Sequence, residues 1–134
     1  MKILIVDDST TIRVQLDKTL KESKKGFQVY EAENGVEALN VLKDNPDIKI
    51  VISDINMPEM DGITLAEFVK KNETLKNLEI VLLTTECSPQ MKLKAKEAGV
   101  TAWIPKPAKP LLLLGIIEKI KVKMGLQNDP LPST

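Results

Sequence analysis

The sequence predicts a doubly wound α/β fold, in which a five-stranded parallel sheet is flanked by five helices. Short apolar runs alternate along the chain with segments that have the period of helices. The runs lack the polar and apolar alternation of a sheet with one solvated face, so we expect parallel strands covered on both faces. Five strand–helix units of this kind need right-handed crossovers. The runs occupy residues 3–6, 27–30, 50–52, 80–83 and 102–104.

The first two helices are predicted from apolar spacing and from residues that begin or end a helix. Lys24 and Lys25 favour the C-terminus of the first helix, and Gly26 can stop it. Asn34 and Glu37 form a capping-box pattern that begins the second helix. The apolar positions are Ile12, Leu16 and Leu20 in the first helix and Val36, Ala38, Leu39 and Leu42 in the second.

The remaining three helices are also predicted from apolar periodicity. Gly99 can end the fourth of them. The apolar positions are Leu65, Phe68 and Val69 in the third helix, Met91, Ala95 and Ala98 in the fourth, and Leu113, Ile116, Ile117, Ile120 and Met124 in the fifth.

Length and composition limit the classes of protein that fit. The 134 residues suit one domain with a single core, expected over residues 1–124, followed by a proline-containing tail over 125–134 that we expect to be disordered. The 19 basic residues equal the 19 acidic ones, which argues against a nucleic-acid-binding module. The single cysteine, Cys87, cannot form an internal disulfide and suits a reducing, cytoplasmic environment. We expect no signal peptide and no membrane segment.

Three aspartates follow two of the apolar runs and give the strongest indication of a functional site. Asp7 and Asp8 follow the first run, and Asp54 follows the third. Two like charges about 4 Å apart repel by roughly 1 kcal/mol in water and by about 4 kcal/mol at an effective dielectric near 20. Three such groups in one pocket therefore call for a cation. Thr84 and Lys106, which end the fourth run and follow the fifth, fit the same pocket.

The strand order decides whether these residues meet. In doubly wound sheets, ligands bind at the carboxyl ends of the strands, where the strand order reverses. In the flavodoxin-like order 2-1-3-4-5, that point lies between the first and third strands. Asp7 and Asp8 then lie beside Asp54, with Thr84 and Lys106 on the flanking strands.

Four motifs at strand ends together resemble the receiver domain of two-component response regulators. The resemblance covers residues 2 to about 124, and it is strongest to the single-domain chemotaxis regulators of the CheY type, which share Asn56 and the Thr84-Thr85-Glu86 pattern. CheY is a standard example of the 2-1-3-4-5 order, so the expectation of that order rests on the resemblance. The motifs are Asp7-Asp8-Ser9, the segment 54–62, Thr84-Thr85-Glu86 and Lys106-Pro107.

The resemblance implies that Asp54 accepts a phosphoryl group from the phosphohistidine of a CheA-like sensor histidine kinase. The chain itself has no histidine. The resemblance also implies a Mg²⁺ site formed by Asp8, Asp54 and the backbone carbonyl of Asn56, with Asp7 holding a metal-bound water. Mg²⁺ suits such a site because it is hard, keeps several waters and binds carboxylates together with phosphate oxygens.

Further roles follow from the same resemblance. Lys106 and Thr84 would contact phosphoryl oxygens, with help from the backbone N–H of Thr85, and a cis bond between Lys106 and Pro107 would aim the ammonium. Asn56 and Glu86 would tune dephosphorylation. Trp103 would swing inward when Thr84 moves toward the phosphoryl group. Independently of the resemblance, the residues themselves predict that Ser9 caps the first helix and that Asp61-Gly62 forms a tight turn without a chemical role.

The function implied is a stand-alone phosphorylation switch and not an enzyme beyond its own phosphorylation and autodephosphorylation. It would signal by binding a protein such as the flagellar motor switch through the face of the fourth helix, fifth strand and fifth helix. A phosphorelay intermediate or phosphate sink is the alternative. A phosphohydrolase of the haloacid-dehalogenase type would need an acidic residue where Asn56 stands.

Three features depart from the usual receiver pattern. Ala108 replaces an aromatic residue after the Lys-Pro pair, and Thr85 replaces a smaller residue. Four leucines at 111–114 give the last helix an apolar start that we expect to leave an exposed patch, either a partner surface or a surface shielded by the tail.

Overall fold

Five strands and five helices alternate along the computed structural model, which describes residues 1–85 and 88–125. All strand pairs are parallel, and the order β2-β1-β3-β4-β5 confirms the predicted fold class. The strands are β1 (Lys2–Val6), β2 (Gln28–Ala32), β3 (Ile50–Asp54), β4 (Glu79–Thr84) and β5 (Ala102–Pro105). The helices are α1 (Thr10–Glu22), α2 (Gly35–Asp44), α3 (Gly62–Lys71), α4 (Pro89–Glu97) and α5 (Pro110–Lys123).

The sheet separates two apolar clusters, one on each face. Helices α2, α3 and α4 pack on one face, and α1 and α5 pack on the other. Within β1, Leu4 and Val6 face the first cluster, whereas Ile3 and Ile5 face the second. The central strands β1, β3 and β4 are therefore buried on both faces, which explains their continuous apolar runs. The edge strands β2 and β5 are only partly buried.

The first helix ends earlier than the sequence suggested. Its last residue is Glu22, and the hydroxyl of the capping residue Ser23 donates a hydrogen bond to the carbonyl of Leu20 at 2.5 Å. Lys24 has a φ of 58° and Gly26 a φ of 74°. These left-handed conformations cannot continue a right-handed helix, so the chain turns before the lysine pair instead of after it.

Two apolar residues assigned to helix cores are exposed. The buried face of α2 contains Gly35, Ala38 and Leu42, and Val36 is exposed. Each residue turns the helix by about 100°, so Val36 lies roughly that far from the face that begins at Gly35. Phe68 in α3 is exposed for the same reason. The buried residues of α3 are Gly62, Leu65, Ala66 and Val69.

Side-chain caps begin four of the five helices. Ser9 accepts a hydrogen bond from the backbone N–H of Ile12, as predicted. Asn34 accepts one from Glu37, which is the half of the capping box that the structure shows. Asp61 caps α3 by accepting from the N–H of Thr64 at 2.7 Å, so this aspartate has a helix-starting role beyond a simple turn. The fourth capped helix is α4, where the hydroxyl of Ser88, just before the helix, accepts from the backbone N–H of Met91.

The predictions made for Glu86, Cys87 and residues 126–134 lie outside the described residues. No helix in the described part of the chain combines the length and apolar character needed to cross a membrane. Gly99, with a φ of 87°, follows the end of α4 in the manner expected of a helix-ending glycine.

Candidate functional site

Three carboxylates meet at the carboxyl ends of β1 and β3. These strands are neighbours, with Val6 opposite Ser53, so the residues that follow them share one edge of the sheet. One carboxylate oxygen from each of Asp7, Asp8 and Asp54 lies within 4.8 Å of the other two. Asp7 is 1% and Asp54 is 7% exposed, whereas Asp8 is open to solvent. The sheet topology therefore brings together the acidic residues that the sequence singled out.

Lys106 joins two of these carboxylates. Its Nζ lies 3.1 Å from Asp7 Oδ2 and 3.1 Å from Asp54 Oδ1. Lys106 follows β5, and its backbone N–H donates to the carbonyl of Thr84 at 2.9 Å. Its side chain therefore extends over the end of β4 to reach β3 and β1. The Lys106–Pro107 peptide bond is cis.

Burial and charge act together on this group of residues. Burial raises the pKa of Asp54 above its ordinary value, and the hydrogen bond and charge of Lys106 offset that rise only in part. Burial alone would lower the pKa of Lys106, but hydrogen bonds to Asp7 and Asp54 outweigh it and raise that pKa. The ammonium therefore stays charged, while the buried carboxylate of Asp54 is not fully compensated.

The donor set fits a hard divalent cation. Three carboxylates face a single ammonium, so the cluster carries an excess of negative charge. Carboxylate and carbonyl oxygens are the ligands that Mg²⁺ prefers, and a dication would supply the charge that Lys106 does not. Asn56 lies two residues after Asp54 in the chain and is exposed. A hydrogen bond from its backbone N–H favours the charged form of Asp54 and so acts to lower the pKa of that carboxyl.

Thr84 and Trp103 lie on the same face of the sheet. Trp103 pairs with Leu82 across β4 and β5, and Leu82 is two residues before Thr84. Thr84 is buried at the end of β4, and Thr85 beside it is exposed. Trp103 is half-buried and packs against the first apolar cluster. Its indole Nε1 is buried without a hydrogen-bond partner among the described residues.

Sequence reasoning missed one buried cation beside the site. Arg13 in α1 is 9% exposed, and its Nη1 donates to the backbone carbonyl of Asp7 at 2.6 Å. The available signal was its spacing, because Arg13 lies three residues before Leu16 and seven before Leu20, on the buried face of the helix. A charged residue on such a face needs partners, and its partners lie at the site.

Comparisons with known proteins agree with this arrangement. The family model described as response regulator receiver domain matches residues 3–118. The chain is 42% identical over 130 residues to the chemotaxis protein CheY1 of Helicobacter pylori, a match that covers 96% of this chain and all of that protein. It is 35% identical over 118 residues to the sensor histidine kinase CheAY of the same organism, covering 87% of this chain and 14% of the kinase.

The similarity extends to three dimensions. The structure of chemotaxis response regulator CheY4 of Vibrio cholerae superposes with a TM-score of 0.81 at 37% sequence identity. The match covers 89% of this chain and 97% of that one.

Proposed function

The chain belongs to the response regulator receiver domain family, as a single receiver domain homologous to CheY chemotaxis regulators, and we propose that it is a stand-alone switch phosphorylated on Asp54. The observation that carries this proposal is the convergence of Asp54 with Asp7, Asp8 and Lys106 at one edge of the sheet. A buried carboxylate beside a fixed ammonium is arranged to react with an electrophilic phosphorus and to hold the charge of the product.

The transfer step follows from the chain's own residues. An oxygen of the Asp54 carboxylate bonds to phosphorus while the bond from phosphorus to the partner's imidazole nitrogen breaks, and the nitrogen keeps the electron pair. The 134 residues contain no histidine, so the imidazole is supplied by the proposed kinase. Lys106, already 3.1 Å from Asp54, pairs with an oxygen of the phosphoryl group as a point charge. The buried hydroxyl of Thr84 and the N–H of Thr85 donate to further oxygens.

Mg²⁺ completes this site in our proposal. Asp8, Asp54 and the backbone carbonyl of Asn56 would hold it, with Asp7 bound through a water. When bound, the ion offsets the repulsion between the carboxylates and an incoming phosphoryl group. Without such compensation, the excess negative charge of the cluster would oppose the approach of a phosphate.

The phosphoryl donor is proposed to be a sensor histidine kinase of the CheA type, and the chain catalyses only its own phosphorylation and dephosphorylation. A purified, radiolabelled kinase from the source organism should pass its label to this chain when Mg²⁺ is present. The label should then leave the chain within minutes, because we propose that Asn56 and Glu86 admit an attacking water to the acyl phosphate. Transfer to no member of the organism's kinase set, or a label stable for many hours at neutral pH, would contradict these assignments.

The output surface is proposed to be the face formed by α4, β5 and α5, with a protein such as the flagellar motor switch as its partner. Leu111 is 86% exposed and Leu112 is also exposed at the start of α5, while Leu113 is buried. The leucine run thus leaves an apolar patch at the start of α5, one of the three elements of the proposed face, in keeping with a surface that binds a protein.

Trp103 is expected to report the switch. If Thr84 moves toward the phosphoryl group, the indole can fill the vacated space, and burial of this large ring favours the phosphorylated state. Beryllofluoride with Mg²⁺ should therefore reduce iodide quenching of the only tryptophan. Thr84→Ala should abolish that reduction. Unchanged quenching in the unsubstituted protein, with beryllofluoride binding verified by calorimetry, would show that Trp103 is static.

A further inference from the structure

We infer that Arg13 is a positioning residue for the acidic site, because it fixes the peptide group that joins Asp7 to Asp8. The inference deepens the proposed function and rests on the Mg²⁺ site described there. It assigns to α1 a part in cation binding, although no side chain of that helix touches the cation in the proposal.

The guanidinium of Arg13 is held from several directions. Its Nη1 donates to the Asp7 carbonyl at 2.6 Å, its Nε donates to Glu31 Oε1 at 3.0 Å, and its Nη2 donates to Thr10 Oγ1 at 3.3 Å. Glu31 belongs to β2 and Thr10 begins α1. The planar, rigid fork of arginine therefore links the ends of two strands and one helix through donors at fixed angles, which the compact ammonium of a lysine on its flexible stem does not reproduce.

The contact between Arg13 and the Asp7 carbonyl matters because that carbonyl belongs to the peptide group that joins Asp7 to Asp8. The Asp7 carbonyl and the Asp8 N–H lie in one rigid peptide plane. Fixing the carbonyl fixes the plane from which the Asp8 side chain extends. Asp8 is the exposed carboxylate of the three, and no hydrogen bond from another side chain to it is seen among the described residues.

The other atoms of Asp7 are restrained as well. Its N–H donates to the carbonyl of Ala32 at 3.1 Å, Oδ1 accepts from the N–H of Ser9 at 2.9 Å, and Oδ2 accepts from Lys106 at 3.1 Å. The bond from Arg13 restrains the peptide group that precedes Asp8, and the bond from the N–H of Ser9 to Asp7 Oδ1 restrains the one that follows it. Loss of Arg13 would leave Asp8 held only from its C-terminal side, so its carboxylate would be less well placed.

A positioning role and a purely electrostatic role for Arg13 predict opposite changes in Mg²⁺ affinity when Arg13 is substituted. A positive charge beside a cation site repels the cation, so removing Arg13 should strengthen Mg²⁺ binding if charge alone matters. If Arg13 positions Asp8, its removal should weaken Mg²⁺ binding. Residues that orient metal ligands typically change metal affinity by about 10- to 100-fold when substituted.

The test is isothermal titration calorimetry with MgCl₂ on four forms of the full chain: unsubstituted, Arg13→Met, Arg13→Lys and Glu31→Gln. We expect the dissociation constant for Mg²⁺ to rise roughly 10-fold in Arg13→Met and several-fold in Arg13→Lys. Glu31→Gln keeps an acceptor for Arg13 and should change the constant less than about threefold. At saturating MgCl₂, phosphorylation of Arg13→Met by acetyl phosphate should return toward that of the unsubstituted protein.

The outcomes separate the possible failures. Tighter or unchanged Mg²⁺ binding in Arg13→Met, with an intact urea unfolding transition, would overturn the positioning role and leave the proposed function standing. If Arg13→Met does not fold, the test rests on Arg13→Lys. Mg²⁺ binding by Arg13→Lys as tight as that of the unsubstituted protein would then overturn the inference. An unsubstituted chain that binds no Mg²⁺ would overturn the proposed site and this inference with it.

Discussion

Asp54→Asn is expected to abolish the Mg²⁺-dependent phosphorylation of this protein by acetyl phosphate. The amide keeps the shape of the side chain but removes the nucleophilic carboxylate and one of three clustered negative charges. Intact-mass spectrometry of the unsubstituted protein should show one added phosphoryl group, lost on chelation of Mg²⁺. In Asp54→Asn the added mass should fall to background.

A matched control is available at the end of α2. Asp44 is an exposed aspartate outside the site, so Asp44→Asn changes the net charge by the same amount and should leave phosphorylation intact. Far-ultraviolet circular dichroism would establish that both variants are folded. Full labelling of a folded Asp54→Asn variant would rule out Asp54 as the acceptor.

Lys106→Met should destabilise the protein without Mg²⁺ and increase its response to Mg²⁺. The substitution leaves the largely buried carboxylates of Asp7 and Asp54 without the ammonium that lies 3.1 Å from each. We expect the free energy of unfolding to fall by about 2 kcal/mol, below the usual cost of breaking a buried ion pair because the lysine keeps some solvent access. Mg²⁺ should then restore more stability than it adds to the unsubstituted protein, since the cluster it binds is more negative.

Urea unfolding with and without MgCl₂ measures both effects. Lys119→Met serves as the control, because Lys119 is exposed on α5 and forms no ion pair with the acidic cluster. An equal gain in stability from Mg²⁺ in Lys106→Met and in the unsubstituted protein would mean that lysine and cation do not share a site.

The sheet could be predicted from the sequence because its central strands carry a strong and simple signal. Strands β1, β3 and β4 are buried on both faces, so each contains an unbroken apolar run, and the polar residues at or just after their carboxyl ends stand out. The convergence of Asp7 and Asp54 then required only the strand order. That order came from the resemblance to receiver domains, because the apolar runs alone do not say which strands are neighbours.

The errors arise where local pattern and tertiary packing differ. Val36 and Phe68 are apolar and near the helical period, but the faces of α2 and α3 that meet the sheet lie to one side of them. Arg13 is the converse case, a charged residue on the buried face of a helix. The sequence around it does not reveal which groups will neutralise or bind it. Its contacts outside α1 are with the ends of β1 and β2, which only the folded sheet brings near that helix.

The most direct test of the central claim is to locate the phosphoryl group itself. Borohydride reduction converts an aspartyl phosphate to homoserine, and tandem mass spectrometry of the digested protein identifies the residue that has changed. The site geometry predicts homoserine at position 54 and unmodified aspartate at positions 7 and 8. Homoserine at either of those two aspartates, or at none of the three after phosphorylation has been verified by intact mass, would contradict the assignment of Asp54 as the acceptor.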